Sequence, residues 1–255
     1  MDSKSLSHKE ILVYKLSLSL GHLCLFVLPA FLFLQKIEPN FWKQKILPKR
    51  SSWQIAGIFL VILHLVLPIG LFFSELIQSF TWYSFFTSMD DDHQDKILQL
   101  IAMDGPLDIL LNLVVIALIP AIGEELSFRA VGQRYLIHWL RNPHWGVIIC
   151  SMVFAGIHLE PAGFFPKFFI SLCLGYAYYL GKSIWIPIGL HFFNNGSLVL
   201  LYYFQSGGSQ PEIREQAPQN LQSLGIAACA AALLIYLIYQ FSIKNLHHES
   251  GTENT

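Results

Sequence analysis

In Gly123-Glu124-Glu125-Leu126-Ser127-Phe128-Arg129, two carboxylates and a guanidinium follow directly on an apolar run that ends at Ile122. A charge held at bilayer depth costs roughly 2.5 to 3.5 kcal/mol on insertion scales, so such a group must be paired or used. Helical spacing separates the roles. Glu125 and Arg129 are i and i+4, stacked on one face and suited to an internal ion pair, whereas Glu124 projects about 100° away. Glu124 is the carboxylate left over for chemistry. The bland alternative, that both glutamates mark a helix end at the membrane surface, stays open on this segment alone.

Two further patterns add imidazoles. Phe154-Ala155-Gly156-Ile157-His158 sets an aromatic ring and an imidazole four apart, with small residues between them that allow close helix approach. In His191-Phe192-Phe193-Asn194-Asn195, His191 and Asn195 are again i and i+4, so an imidazole and a carboxamide point at one place. Such a pair can donate hydrogen bonds to a developing oxyanion. A lone histidine in an apolar helix is more often a satisfied interface group, which is the reading for His22 and His64. Ser127 lies inside the first pattern without an evident base and reads as structural.

These side chains need elements that hold them in an apolar medium. With 54% of 255 residues hydrophobic and 13% charged, the chain is far from the ~25% charged content of soluble domains; a mean hydropathy of +0.49 agrees. A bilayer is the expected solvent. The net charge of −1 gives no basic surface for nucleic acid. Cys24, Cys150, Cys173 and Cys229 form no CxxC pair, so neither a disulfide framework nor a thiolate zinc site is indicated.

Long charge-free runs lie between Lys15 and Lys36, Arg50 and Glu75, Lys182 and Glu212, and Glu215 and Lys244. Shorter runs lie between Asp108 and Glu124, Arg141 and Glu160, and Pro161 and Lys182. With ~20 residues needed per crossing, the expectation is an all-α polytopic transmembrane bundle of about seven spans, six to eight, with the site inside it. The loop 35–52 is rich in Lys and Arg and is expected on the cytoplasmic side, with Arg141 and Lys182; Lys4 and Lys9 run mildly against this. At ~1.5 Å rise per residue, Glu124, His158 and His191 then share one level inside the membrane. The segment 78–106, with its acidic patch Asp90-Asp91-Asp92-His93, reads as a loop beside an aromatic belt. The stretch 205–220 reads as a loop rich in Gly, Ser, Gln and Pro.

Taken in order, EExxxR, FxxxH and HxxxN resemble the three motifs of the CPBP family of intramembrane proteases, the group of the CAAX prenyl endopeptidases and bacterial homologues. The words Pro120-Ala121-Ile122-Gly123-Glu124-Glu125-Leu126-Ser127-Phe128-Arg129 and Ile186-Pro187-Ile188-Gly189-Leu190-His191 are similar to bacterial members. The resemblance covers roughly 107–200. It implies an endopeptidase in which Glu124 and His158 activate water and His191 and Asn195 stabilise the oxyanion, with Glu125, Arg129 and Phe154 in support. No cofactor is the preferred expectation; the alternative is Zn²⁺ on Glu124, His158 and His191, a His2Glu set with an open fourth position.

The expected organisation is N-terminal helices and a loop over 1–105, a catalytic core over 106–204, and a loop, last span and polar tail over 205–255. The expected setting is a bacterial inner membrane, and the expected partners are the bilayer and a membrane-associated protein or peptide substrate. The competing functions are a non-catalytic scaffold or bacteriocin-immunity protein of the same fold, and a transporter with a proton relay. No internal repeat of the kind expected of a transporter is visible.

Overall fold

The computed structural model of the chain describes residues 8–42, 50–86, 100–101, 103, 105–206 and scattered positions between 225 and 240. No strand occurs among the described residues, which form an all-α bundle. Helix α1 runs from His8–His22 through a π-wound stretch, Leu23–Val27, into Leu28–Ile37. Helix α2 is Arg50–Gln78. The long α3, Pro106–Leu140, contains two π-wound stretches, Leu113–Leu118 and Leu126–Gln133. Helices α4, Pro143–Gly156, α5, Phe164–Gly181, and α6, Trp185–Ser206, complete the set.

The turns between them have local causes. Arg141 ends α3 in the left-handed conformation at φ 51°, and Asn142 then caps α4 by accepting from the amides of His144 and Trp145 at 2.9 and 3.2 Å. Pro143, at the first position of α4, has no amide to leave unsatisfied. Lys182 ends α5 in the same left-handed way, at φ 53°.

Side-chain contacts fix the directions of the helices. Helix α5 runs parallel to α3, because Arg129 bonds Ser171 and Gln133 bonds Gly175, four residues on in both helices. Helix α6 runs back along α3, with His191 at Glu125 and Asn195 at Ile116. Helix α1 lies parallel to α3, meeting it at Glu124, Ser127 and Arg134. Helix α2 packs antiparallel on α5, with Ser52 bonded to the Gly181 carbonyl and Gly70 against Pro166. Phe59, Ile62, Leu63 and Val66 of α2 fill the seam with Leu174 and Ala177 of α5.

The outside of the bundle is as apolar as its core. Along α1, Leu12, Leu16, Leu20, Leu25 and Leu32 are all exposed, a face that water would not tolerate and lipid does. Three helices are long and apolar enough to cross a membrane: Lys9–Ile37, Ser52–Gln78 and Pro106–Leu140. Helix α4 is shorter. Its 14 residues rise about 21 Å, less than the ~30 Å hydrocarbon core, so a chain that enters at Arg141 has reached His158 before it can leave the membrane. Most of the expected last span, 215–244, and the acidic patch at 90–93 lie outside the described residues.

The tightest backbone approach outside the site is at Gly70, where an added Cβ would stand 2.7 Å from Pro166 Cα. Gly70→Val should force α2 and α5 apart and cost about 1–3 kcal/mol, by analogy with overpacked cores. The check is thermal unfolding of the purified protein in detergent, and an unchanged midpoint would contradict this packing.

Candidate active site

The α3 helix delivers both glutamates into the bundle, and neither reaches lipid: Glu124 is 6% exposed and Glu125 not at all. The pair expected between Glu125 and Arg129 is present, with Arg129 Nε 2.9 Å from Glu125 Oε2. It is a contact of charge and is not aligned as a hydrogen bond, since Nε and Nη1 of Arg129 have no hydrogen-bonded partner. Arg129 Nη2 donates instead to the Ser171 carbonyl at 3.1 Å and to Ser171 Oγ at 3.0 Å, and the Phe154 ring covers the guanidinium at 5.0 Å. One cation thereby ties α3, α4 and α5 together.

The second oxygen of Glu125 does something the spacing did not suggest. His191 Nδ1 donates to Glu125 Oε1 at 2.8 Å, since a carboxylate can only accept. This turns the other ring nitrogen of His191, Nε2, towards Glu124 Oε2 at 3.9 Å. Glu125 is therefore shared between Arg129 and His191, and it orients the imidazole as well as balancing the guanidinium.

His158 follows the end of α4. Its Nδ1 donates to the Phe154 carbonyl at 2.8 Å, so Nε2 is the ring nitrogen that this bond does not use. Leu159, next in the chain, takes the left-handed conformation at φ 54°, a position that costs a branched, non-glycine residue roughly 1–2 kcal/mol. This turn stops the helix beside the site. Phe154 is the common wall: its ring lies 5.1 Å from that of Phe128, 5.1 Å from His158 and 6.2 Å from His191, centroid to centroid.

Asn195 has hydrogen-bond partners of its own. Its amide donates to the Ile116 carbonyl at 3.3 Å, and its oxygen accepts from Asn194 at 3.1 Å. A carboxamide has two N–H donors, so one is spoken for by α3. Ser127 is structural in the sense expected, donating to the Phe26 carbonyl of α1 at 2.9 Å.

Two groups at the site escaped the motif reading. Gln133, 1% exposed, extends the buried face of Glu125 and Arg129 by one more step of four and donates to the Gly175 carbonyl at 2.9 Å; its spacing was the available signal. His22 comes from α1 and stands with Nε2 3.3 Å from Glu124 Oε1. Nothing in the local sequence of α1 announces that contact, 102 residues away in the chain.

Among the described residues, no three His, Cys, Asp or Glu side chains are arranged to hold a metal ion.

An all-α bundle with lipid-facing sides and a buried Glu/His cluster defines an integral membrane protein with a polar site inside the membrane. Residues 106–197, the stretch that holds all three motifs, match the family model described as Type II CAAX prenyl endopeptidase Rce1-like. The likeness is to an endopeptidase family and covers this segment of the chain. No curated protein and no solved structure matches the chain.

The geometry makes Arg129 the centre of the buried network. Arg129→Met should strand Glu125 uncompensated and destabilise the protein by about 3–5 kcal/mol, the loss typical of breaking a buried pair from one side. Combining it with Glu125→Gln should cost clearly less than the sum of the two single losses. Thermal melts of the three variants in detergent check this, and simple additivity would refute the shared network.

Proposed function

We propose that the chain is an intramembrane endopeptidase in which Glu124 activates water for attack on a peptide carbonyl. The observation that carries this reading is the position of Glu124: a nearly buried carboxylate that faces His191 Nε2 at 3.9 Å, inside a stretch that matches an endopeptidase family model.

In the proposed cycle a water between Glu124 and His158 gives a proton to Glu124 as its oxygen bonds to the carbonyl carbon. The carbonyl oxygen becomes an oxyanion, and His191 and the free N–H of Asn195 donate to it. For His191 this requires the imidazolium form, because Nδ1–H is committed to Glu125 and only that form carries a second N–H at Nε2. Collapse of the tetrahedral intermediate breaks the C–N bond, and the proton held by Glu124 passes to the leaving amine. Glu124 is then a carboxylate again.

We propose that glutamate and histidine act on water directly, with no metal ion. The substrate is a membrane-associated protein or peptide, and the likeness to CAAX prenyl endopeptidases makes C-terminal CAAX sequences the first to try. The setting is a bacterial inner membrane, with Arg134, Arg141 and Lys182 at the cytoplasmic end. The support is that those cations gather at one end of the bundle, which the Arg134–Glu38 pair and the Ser52–Gly181 bond join to the basic loop after α1.

The test uses purified full-length protein in detergent and an internally quenched CAAX peptide, farnesylated and unprenylated, with and without chelator. Glu124→Gln should lower cleavage by at least ~10²-fold with its melting temperature retained, the loss expected for a general base. Asn195→Ala should lower kcat more than it raises KM, because an oxyanion donor acts in the transition state. Chelator should leave the rate unchanged. Cleavage by Glu124→Gln at the wild-type rate would overturn the assignment of the base, and reversible loss with chelator would overturn the direct mechanism.

A further inference from the structure

The N-terminal helix lies outside the family-matched segment, yet it is docked against the first motif at three successive points. Gly123 has no side chain, and an added Cβ would stand 3.1 Å from both Phe26 Cβ and Val27 Cγ2, so glycine is what lets α1 come this close. Ser127 then holds the Phe26 carbonyl, in the π-wound stretch of α1. Between these two positions in α3 lies Glu124, and His22 reaches it from α1.

The hydrogens of that contact can be worked out. His22 Nδ1 lies 3.1 Å from the Leu18 carbonyl, which has no hydrogen to give, so Nδ1 carries the proton. Nε2 of a neutral imidazole would then present a lone pair to Glu124 Oε1 at 3.3 Å. Two lone pairs do not attract, so the contact requires one proton between the two atoms, and a Glu124 that takes a proton from water needs this one held on His22 Nε2. The carboxylate is gripped from its two sides: Oε1 by His22 and Oε2 facing His191.

We propose that His22 is a positioning residue of this site: through one shared proton it fixes the Glu124 carboxylate with Oε2 turned to the reaction space. This rests on the hydrolytic reading above. It means that the catalytic machinery extends beyond the matched segment and includes α1, so that 106–197 alone is an incomplete site.

The test again uses the full chain and the farnesylated quenched peptide. His22→Leu and His22→Ala remove the contact, while His22→Gln keeps an N–H donor close to the place of Nε2. The removal variants should lose about ten-fold or more in kcat at nearly constant KM, as expected when a reacting group is misplaced by a fraction of an ångström, and His22→Gln should recover most of it. A thermal double-mutant cycle of His22→Leu with Glu124→Ala reads the contact without turnover, and the two losses should be non-additive. Either removal variant that purifies folded and keeps wild-type kcat overturns the proposal. So do additive melting shifts, and so does a folded His22→Gln as slow as the removal variants. If Glu124→Gln itself keeps turning over, the hydrolytic reading has failed, whatever His22 does.

Discussion

A guanidinium that is 1% exposed in the middle of an apolar bundle is the constraint on which the other polar contacts depend. Lipid cannot solvate Arg129, and the penalty for a lone buried ion exceeds what any single neighbour returns. The bundle answers with a carboxylate from the same helix, a carbonyl and a hydroxyl from α5, and an aromatic face from α4. Those partners must be brought to one place before the cation is tolerable. The fold around Arg129 is thus specified polar group by polar group, in a medium where apolar burial contributes little to helix association.

The site takes its geometry from that requirement. Glu125 cannot move while it balances Arg129, so the imidazole bonded to its second oxygen is also fixed, and with it the nitrogen aimed at Glu124. Phe154 serves both functions, as cover for the guanidinium and as wall for His158 and His191. A network that stabilises the membrane fold is therefore the same network that orients His191 towards Glu124. This is the pattern of histidines elsewhere whose second nitrogen is held by a carboxylate that sets the tautomer.

Much of this was legible in the chain. Charge-free runs gave the helices, and the i,i+4 spacing of Glu125 and Arg129 gave the ion pair, because both follow from local geometry and the cost of charge in lipid. Partners from other helices were not legible. That Glu125 also holds His191, or that His22 reaches Glu124, depends on how α6 and α1 rotate about their axes, which spacing within one helix does not encode. Asn195 was read for what its amide could do to a substrate, whereas the bond it makes is to the Ile116 carbonyl. The run from Arg141 to Glu160 was legible as a short one, but that α4 stops at Gly156, ahead of the left-handed turn at Leu159, was not.

Three stretches of π winding, Leu23–Val27, Leu113–Leu118 and Leu126–Gln133, recur where polar groups meet. In each, a carbonyl loosened from the regular ladder is taken up by a neighbouring helix: Phe26 by Ser127, Ile116 by Asn195 and Phe128 by Cys150. A π turn is in effect one residue too many for its length of α-helix. Removing a single residue from 113–118 would let that turn relax to regular winding with Glu124 kept close to its present face, whereas removing one from a regular α stretch of the same helix would rotate Glu124, relative to everything before it, by about 100°. The length of the chain is therefore as much a determinant of the site as its letters: a codon lost can be absorbed where α3 carries a π turn, and elsewhere in that helix it turns Glu124 and Glu125 off their face.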